Sequence, residues 1–416
     1  VATLLDHSCG VATETTWNIP KTPDHWYEWL ESSGLDWDPN TINASGLRVG
    51  SKFARASRRT QLVPRGMGKL EFELASKGFG PILGALFGTS VSTNVAGALY
   101  QQLFTATTAT SFLPTLTVQE GLVRADGTVD AYTWRGCTVK SGELALPSNG
   151  LATCKVDLDA RSMHVARVVT DGATTISTAT VTSATGGFST NDIGAPITGT
   201  NIPASTTIIG INSATSITIS ANATATGSGL TLTFGSAYTT PTYPSNATLY
   251  SSALALTVAS ITIGGTLTVP TTTALGTISG GTVAAAVKDW TLTLDNGVDG
   301  GRDVVGGRNQ ATTGKRVGTL KTTVEYDSTT GVVLQQYMVN QTQVAMLVNA
   351  QTPEIITAGN PATFQIATPV AAIDSGAIPQ PTAGTVATTT LSWSVLDGLV
   401  AGSALYGVLR TADTAL

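Results

Sequence analysis

Residues 68–74 read Gly-Lys-Leu-Glu-Phe-Glu-Leu (GKLEFEL). Leu70, Phe72 and Leu74 recur at every second position, with Lys69, Glu71 and Glu73 between them. A period of two places the two sets on opposite faces of an extended chain, so the segment is a strand with one apolar and one charged face. The same pattern returns at 315–327, where Thr319, Lys321, Thr323 and Glu325 alternate with Leu320, Thr322, Val324 and Tyr326. Residues 288–294 form a further strand, and 132–159 a long hairpin about Pro147-Ser148-Asn149-Gly150. The aromatics of 26–31 (WYEWLE) tilt that stretch to strand as well. Only 79–87 (FGPILGALF) reads as a helix, with Pro81 in its first turn and Gly88 as its stop. One short helix among many strands predicts a mainly β fold with the helix packed on one side of a sheet.

The composition agrees and excludes several classes. The chain has 416 residues, only 12% of them charged, and a net charge of -5. Disorder driven by charge, a coiled coil and a basic nucleic-acid binder are all ruled out. Charge is also unevenly spread. Residues 168–287 contain no Lys or Arg and only two acids, Asp171 and Asp192. Within that span, 216–220 (SITIS) and 230–234 (LTLTF) alternate as strands do, which favours an uncharged β-rich surface over disorder.

Three cysteines make no disulfide framework in a chain of this length. A turn centred between Ser148 and Asn149 sets Cys154 opposite Glu143 and Cys137 opposite Ala160, about 20 Å apart along the strands. That is too far for a bridge, so all three are expected as reduced core thiols. No apolar run reaches the length of a membrane span and no secretory signal opens the chain, which suits assembly in a reducing interior.

Catalytic chemistry is not visible. His7, His25 and His164 have no metal-ligand spacing, and neither GxSxG nor a phosphate-binding GxxxxGK[ST] occurs. Gly66-Met67-Gly68-Lys69 reads as a turn, as do Asp295-Asn296-Gly297 and Asp299-Gly300-Gly301. No catalytic residue, metal or cofactor is expected. One cluster does rise above its surroundings: Arg48, Lys52, Arg55, Arg58, Arg59, Arg65 and Lys69, with no acid between Asp38 and Glu71. Three readings fit it: a solvated loop, a phosphate-binding patch, or a contact with another protein. Phe53 is its one aromatic residue, which disfavours nucleic-acid stacking.

Several short stretches, in order along the chain, resemble the major tail tube proteins of long-tailed bacteriophages, of the kind found in phages of actinobacteria. They are 26–37 (WYEWLESSGLDW), 46–56 (GLRVGSKFARA), 75–88 (ASKGFGPILGALFG), 116–121 (LTVQEG), 127–136 (GTVDAYTWRG), 287–297 (VKDWTLTLDNG), 318–327, and the ending 395–416. The resemblance implies a β-sandwich or half-open barrel with a flanking helix. It implies homohexameric rings stacked into a tube, and a lumen through which DNA passes without specific binding. Other tail proteins (tape measure, tail terminator, distal tail protein) would be partners. The setting would be the virion tail, assembled in the bacterial host cytoplasm without membrane insertion. A long loop in such proteins reaches neighbouring subunits, and the basic stretch falls there, which favours the protein-contact reading.

Residues 168–235 depart from the compact members. Segments 187–194 (GFSTNDIG) and 198–204 (TGTNIPA) resemble a small Thr-rich β module of phage structural proteins. The expected organisation is a tube domain over 1–167 and 236–416 with an inserted module at 168–235. Glu71, Glu73, Thr319, Thr323 and Glu325 are the expected lumen-facing residues. Arg48, Lys52, Arg55, Arg58, Arg59 and Arg65 are the expected inter-subunit loop, with Asp289, Asp295, Asp299 and Asp303 as its acceptors. The alternative function is a virion decoration or adhesin protein whose module binds the host surface. The module's scarcity of aromatic platforms weighs against sugar binding.

Overall fold

The computed structural model describes residues 7–30, 33–46, 53, 55–106, 112–147, 150–244, 258–283, 287–304, 307–326, 330–376, 387–398, 402–414 and 416. Seven consecutive antiparallel strands of its principal sheet position the site: β1 (Gly34–Asp38), β2 (Arg65–Glu73), β3 (Val129–Pro147), β4 (Thr153–Ala160), β5 (Val287–Asp295), β6 (Val317–Glu325) and β7 (Thr388–Val395). Their order across the sheet is β1, β2, β4, β3, β5, β6, β7. The alternation in GKLEFEL sets which side is core. Phe72, Cys154, Leu144, Leu292, Leu320 and Trp393 stand directly opposite one another in one cross-strand row. Each is at most 1% exposed. Burying each of the large apolar members of this row is worth on the order of 2 kcal/mol. Thr322 also faces inward, and its hydroxyl accepts the Trp393 indole N–H at 3.0 Å. Tyr326 lies beyond the end of β6 and is exposed rather than part of the core.

Two long strands bend the sheet into a half-barrel. The first half of β3 pairs with Leu116–Val123 and Ser162–Val165, and its second half with β4 and β5. The change of partners falls at Gly136, whose φ of +61° suits glycine alone, and where a Cβ would come within 2.7 Å of Arg161. Asn360–Gly376 repeats the device: its first half pairs with Val344–Thr357 and Tyr406–Thr411, its second half with β7. The helix expected from the sequence is α1 (Gly80–Phe87), with Pro81 near its start and Gly88 as a left-handed C-cap. All eight of its residues are buried. A second helix, α2 (Thr330–Val339), was not expected, and it inserts Leu334 into the core. Strands hold 58% of the structure and helices 6%, so the mainly β expectation holds.

Two local readings need correction. Gly66 and Gly68 are not in a turn but inside β2. A Cβ on Gly66 would sit 2.6 Å from Trp134, and one on Gly68 would sit 2.2 Å from the Gly34 carbonyl oxygen. These glycines let β1 and an indole ring lie tight against the strand. The hairpin register is also shifted by one near its turn, where Cys154 faces Leu144 rather than Glu143. The offset starts at the turn, and an irregularity between Val139 and Ser141 restores the expected register beyond it, with Thr138 opposite Asp159. All three thiols are buried and unpaired. Burial pushes Cys154 up to about 12 and raises Cys9 and Cys137 well above the ordinary thiol value.

Residues 167–234 build a separate six-stranded sheet over an apolar cluster of their own that includes Val181, Ile217, Leu232 and Phe234. Its first and last strands, Arg167–Thr174 and Gly227–Phe234, pair with Arg167 opposite Phe234, so the chain arrives and leaves side by side. The sheet is fastened at this point. Arg167 grips Asp192 with two hydrogen bonds of 2.9 and 3.0 Å. Buried Arg135 donates to the carbonyls of Asn191 and Ile193. Burial pulls His164 down to about 3, so it stays neutral and its Nε2 accepts the Ser236 N–H at 3.0 Å.

Candidate functional site

The polar side of the principal sheet is the mirror of its core row. Glu71, Lys155, Glu143, Thr293, Thr319 and Ser394 form one directly opposed row. Glu73, Thr153, Ala145, Thr291, Lys321 and Ser392 form the next. Thr323 and Glu325 continue it opposite Thr390 and Thr388. Five residues far apart in sequence, Glu71, Glu73, Thr319, Thr323 and Glu325, therefore share one face of one sheet. Glu71 and Thr319 lie four strand spacings apart, roughly 19 Å. All five are partly exposed.

This face is acidic. It carries Glu71, Glu73, Glu143, Asp157, Asp159, Asp289, Asp295 and Glu325 against Arg65, Lys69, Lys155 and Lys321, with Lys288 alongside. Lys155 approaches Glu71 at 3.8 Å, and Lys288 meets Glu325 at 2.8 Å. Both pairs are open to solvent and worth little each. The remaining positions are mainly hydroxyls, such as Thr293, Thr390 and Ser394. Such a surface is wettable and repels phosphate.

The basic stretch forms an arm. Thr41–Asn43 pairs with Arg59–Gln61 in a two-stranded ribbon whose six residues are all exposed. A single turn of 3-10 helix, Ala56–Arg58, precedes the second strand. Ile42, Phe53 and Leu62 are exposed apolar side chains on the same arm. Arg58 reaches the Gly46 carbonyl at 3.5 Å, and Arg59 donates to the Thr41 hydroxyl at 3.3 Å. Among the described residues, none of Arg55, Arg58, Arg59 or Arg65 forms an ion pair. Arg65 is not on the arm but opens β2, opposite Asp38. Arg48 and Lys52 lie outside the described residues.

The four expected acceptors do not form one cluster. Asp289 and Asp295 belong to the acidic face. The Asp299 carboxylate accepts the Gly301 N–H at 3.0 Å, and that of Asp303 accepts Arg308 Nε at 2.9 Å. Residues the sequence reading did not single out include Arg135 and Glu120. Nothing in the surrounding sequence marks Arg135 as buried or Glu120 as half-buried, because each is flanked by strands distant in the chain. Among the described residues, no group of three His, Cys, Asp or Glu side chains converges as a metal site, and no helix is long and apolar enough to cross a membrane.

The sequence model of a family described as phage tail tube protein matches residues 6–223. That match covers the acidic strand β2, the arm, α1 and most of the separate sheet. A search of curated proteins found no match.

Proposed function

Because the chain belongs to the phage tail tube protein family, a structural and not an enzymatic family of the virion tail, we propose that it forms homohexameric rings stacked into the conduit through which phage DNA is ejected into the host. The observation that carries this reading is the acidic and hydroxyl-rich face shared by β2, β4, β3, β5, β6 and β7. In the assembled tube that face lines the lumen, with Glu71, Glu73, Thr319, Thr323 and Glu325 towards the channel. A conduit must stay wet and must not hold the phosphates that slide along it, and this face has both properties. The opposite arrangement, a basic lumen, would retain DNA through counterion release.

The sheet edge supports ring formation. Among the described residues, β1 pairs on one side only. A free edge invites pairing with another chain, and a closed ring of identical copies satisfies every edge at once. The arm (Arg55, Arg58, Arg59, with Arg48 and Lys52) reaches the next copy. The tape measure, tail terminator and distal tail proteins meet the tube at its lumen and ends, and assembly takes place in the host cytoplasm. Electron microscopy of the purified chain tests the reading. Long hollow tubes are expected; compact particles at high concentration would favour a decoration or adhesin protein instead.

Residues 168–235 are placed on the outside of the tube as an inserted module between the two parts of the tube domain, 1–167 and 236–416. The support is the pairing of Arg167 with Phe234, which lets the parent fold continue across the insertion. Replacing 168–235 with a short Gly/Ser linker is expected to leave tubes intact by electron microscopy. Arg135 then loses its carbonyl partners on 191 and 193 but gains access to water. Loss of all assembly in a folded deletion variant would show instead that the module carries contacts between copies.

A further inference from the structure

A cavity of about 280 Å³ opens where β1, β3 and the Leu116–Val123 strand meet. Its walls are aromatic: Trp29, Trp37, Tyr132 and Trp134, with Met163. One carboxylate stands among them. Glu120 accepts the Trp134 indole N–H at 3.1 Å and the Leu35 backbone N–H at 3.1 Å. Among the described residues no cation pairs with it. Among the described residues the Trp29 indole N–H finds no acceptor. A carboxylate enclosed by indoles is poorly solvated, and indole faces attract cations. A guanidinium answers both demands, because it stacks on aromatic rings and donates in a planar fork to a carboxylate.

The complementary group is present on the same chain but outside the cavity. Arg58 is exposed at the end of the arm's helical turn, and among the described residues its guanidinium makes one hydrogen bond, a 3.5 Å contact to the Gly46 carbonyl. We propose that Arg58 of a second copy enters this aromatic cavity and pairs with Glu120, locking the arm of one subunit onto the body of the next. The proposal rests on the reading of the arm as an inter-subunit contact and names its acceptor. It replaces the acids at 289–303, two of which lie on the acidic face and two of which are tied into their own turns and Arg308.

A pH dependence follows. Burial pushes Glu120 up to about 7, against its two hydrogen bonds and with help from Asp36. An arriving guanidinium favours the ionised form, so the contact releases a proton when it forms near or below that pH. Assembly should therefore tighten as pH rises towards 7 and level off above it. The other groups facing Glu120 are His7 and Tyr132 on the cavity wall, Asp36 on β1, and the Cys9 and Cys137 thiols. Both thiols are held neutral by burial. His7 lines the same cavity, so His7→Asn serves as a control.

The test measures the critical concentration for assembly by light scattering from pH 5.5 to 8.5, using the full chain. The wild type is expected to need up to about tenfold more protein per pH unit below 7. Glu120→Gln keeps a side-chain acceptor in place and should assemble at least about tenfold more weakly at pH 8, with a flat profile. Arg58→Gln should match it, and the double variant should be no worse than either single one. His7→Asn should keep the wild-type slope. Circular dichroism confirms the fold of each. A Glu120→Gln variant with wild-type assembly and slope, a His7→Asn variant with a flat profile, or additive losses in the double variant, would overturn the proposal. If arm reversal at Arg55, Arg58 and Arg59 blocks tubes while Glu120→Gln does not, this acceptor alone is wrong. If arm reversal leaves tubes intact, the reading of the arm itself fails.

Discussion

Changing Arg55, Arg58 and Arg59 together to glutamate is expected to abolish stacked tubes while each subunit still folds. The three side chains lie on or beside an exposed ribbon, and none forms an ion pair within its own chain among the described residues. Their loss should cost the fold little, since exposed substitutions are usually within about 0.5 kcal/mol. Between copies the balance differs. A cation near a carboxylate is worth ~0–1 kcal/mol at an exposed contact, and reversal turns each attraction into a repulsion of similar size. Three such changes per arm, repeated in every subunit, multiply along the tube. Salt should mimic the variant weakly, because exposed pairs are screened within about 10 Å at 0.1 M. Circular dichroism reads the fold and electron microscopy reads the tubes. Normal tubes from a folded triple variant would return the arm to a solvated loop.

The second large effect is expected from the acidic face. Glu71→Lys, Glu73→Lys and Glu325→Lys together convert part of it to a basic one. Glu71 and Glu325 each lose one solvent-open ion pair, with Lys155 and Lys288 respectively, at a cost of roughly 0–1 kcal/mol apiece. The core row behind them is untouched, so tubes should still form. What changes is the grip on DNA. Each lysine that reaches a phosphate releases counterions and steepens the salt dependence of binding by about 0.9. A lumen with three such positions in every copy should hold DNA at low salt and let it go at high salt, whereas the wild type is expected to hold none. Phage carrying the variant should lose at least about tenfold in infectivity through stalled ejection. Variant tubes that retain no DNA would show that this face does not border the channel.

The half of this account that rests on strand period was legible in the sequence. GKLEFEL at 68–74 fixed which residues of β2 face the core, and the alternation through 319–325 did the same for β6. Both were readable because a two-residue period needs no knowledge of partners. The helix at 80–87 was legible through its Pro81 start and Gly88 stop. What escaped was everything that depends on the neighbouring strand. Gly66 and Gly68 read as a turn because glycine is a turn residue in isolation; the approach of Gly34 and Trp134 is a tertiary fact. The turn that sets Cys154 opposite Leu144, and the irregularity beyond it that restores the register, leave no mark in composition. Helix α2 carries a glycine and β-branched residues near its start, which weaken any local helix signal. The basic arm was plain as charge, yet its ribbon pairing was not. Glu120 looked like an ordinary strand residue in LTVQEG until three tryptophans from separate segments closed around it.

The central claim is the direction in which the acidic face points, and an electron cryo-microscopy reconstruction of assembled tubes tests it most directly. The expected result is a ring of six copies with Glu71, Glu73, Thr319, Thr323 and Glu325 turned towards the central channel and the row from Phe72 to Trp393 behind them in the core. A reconstruction with those five side chains on the outer surface of the tube would contradict it.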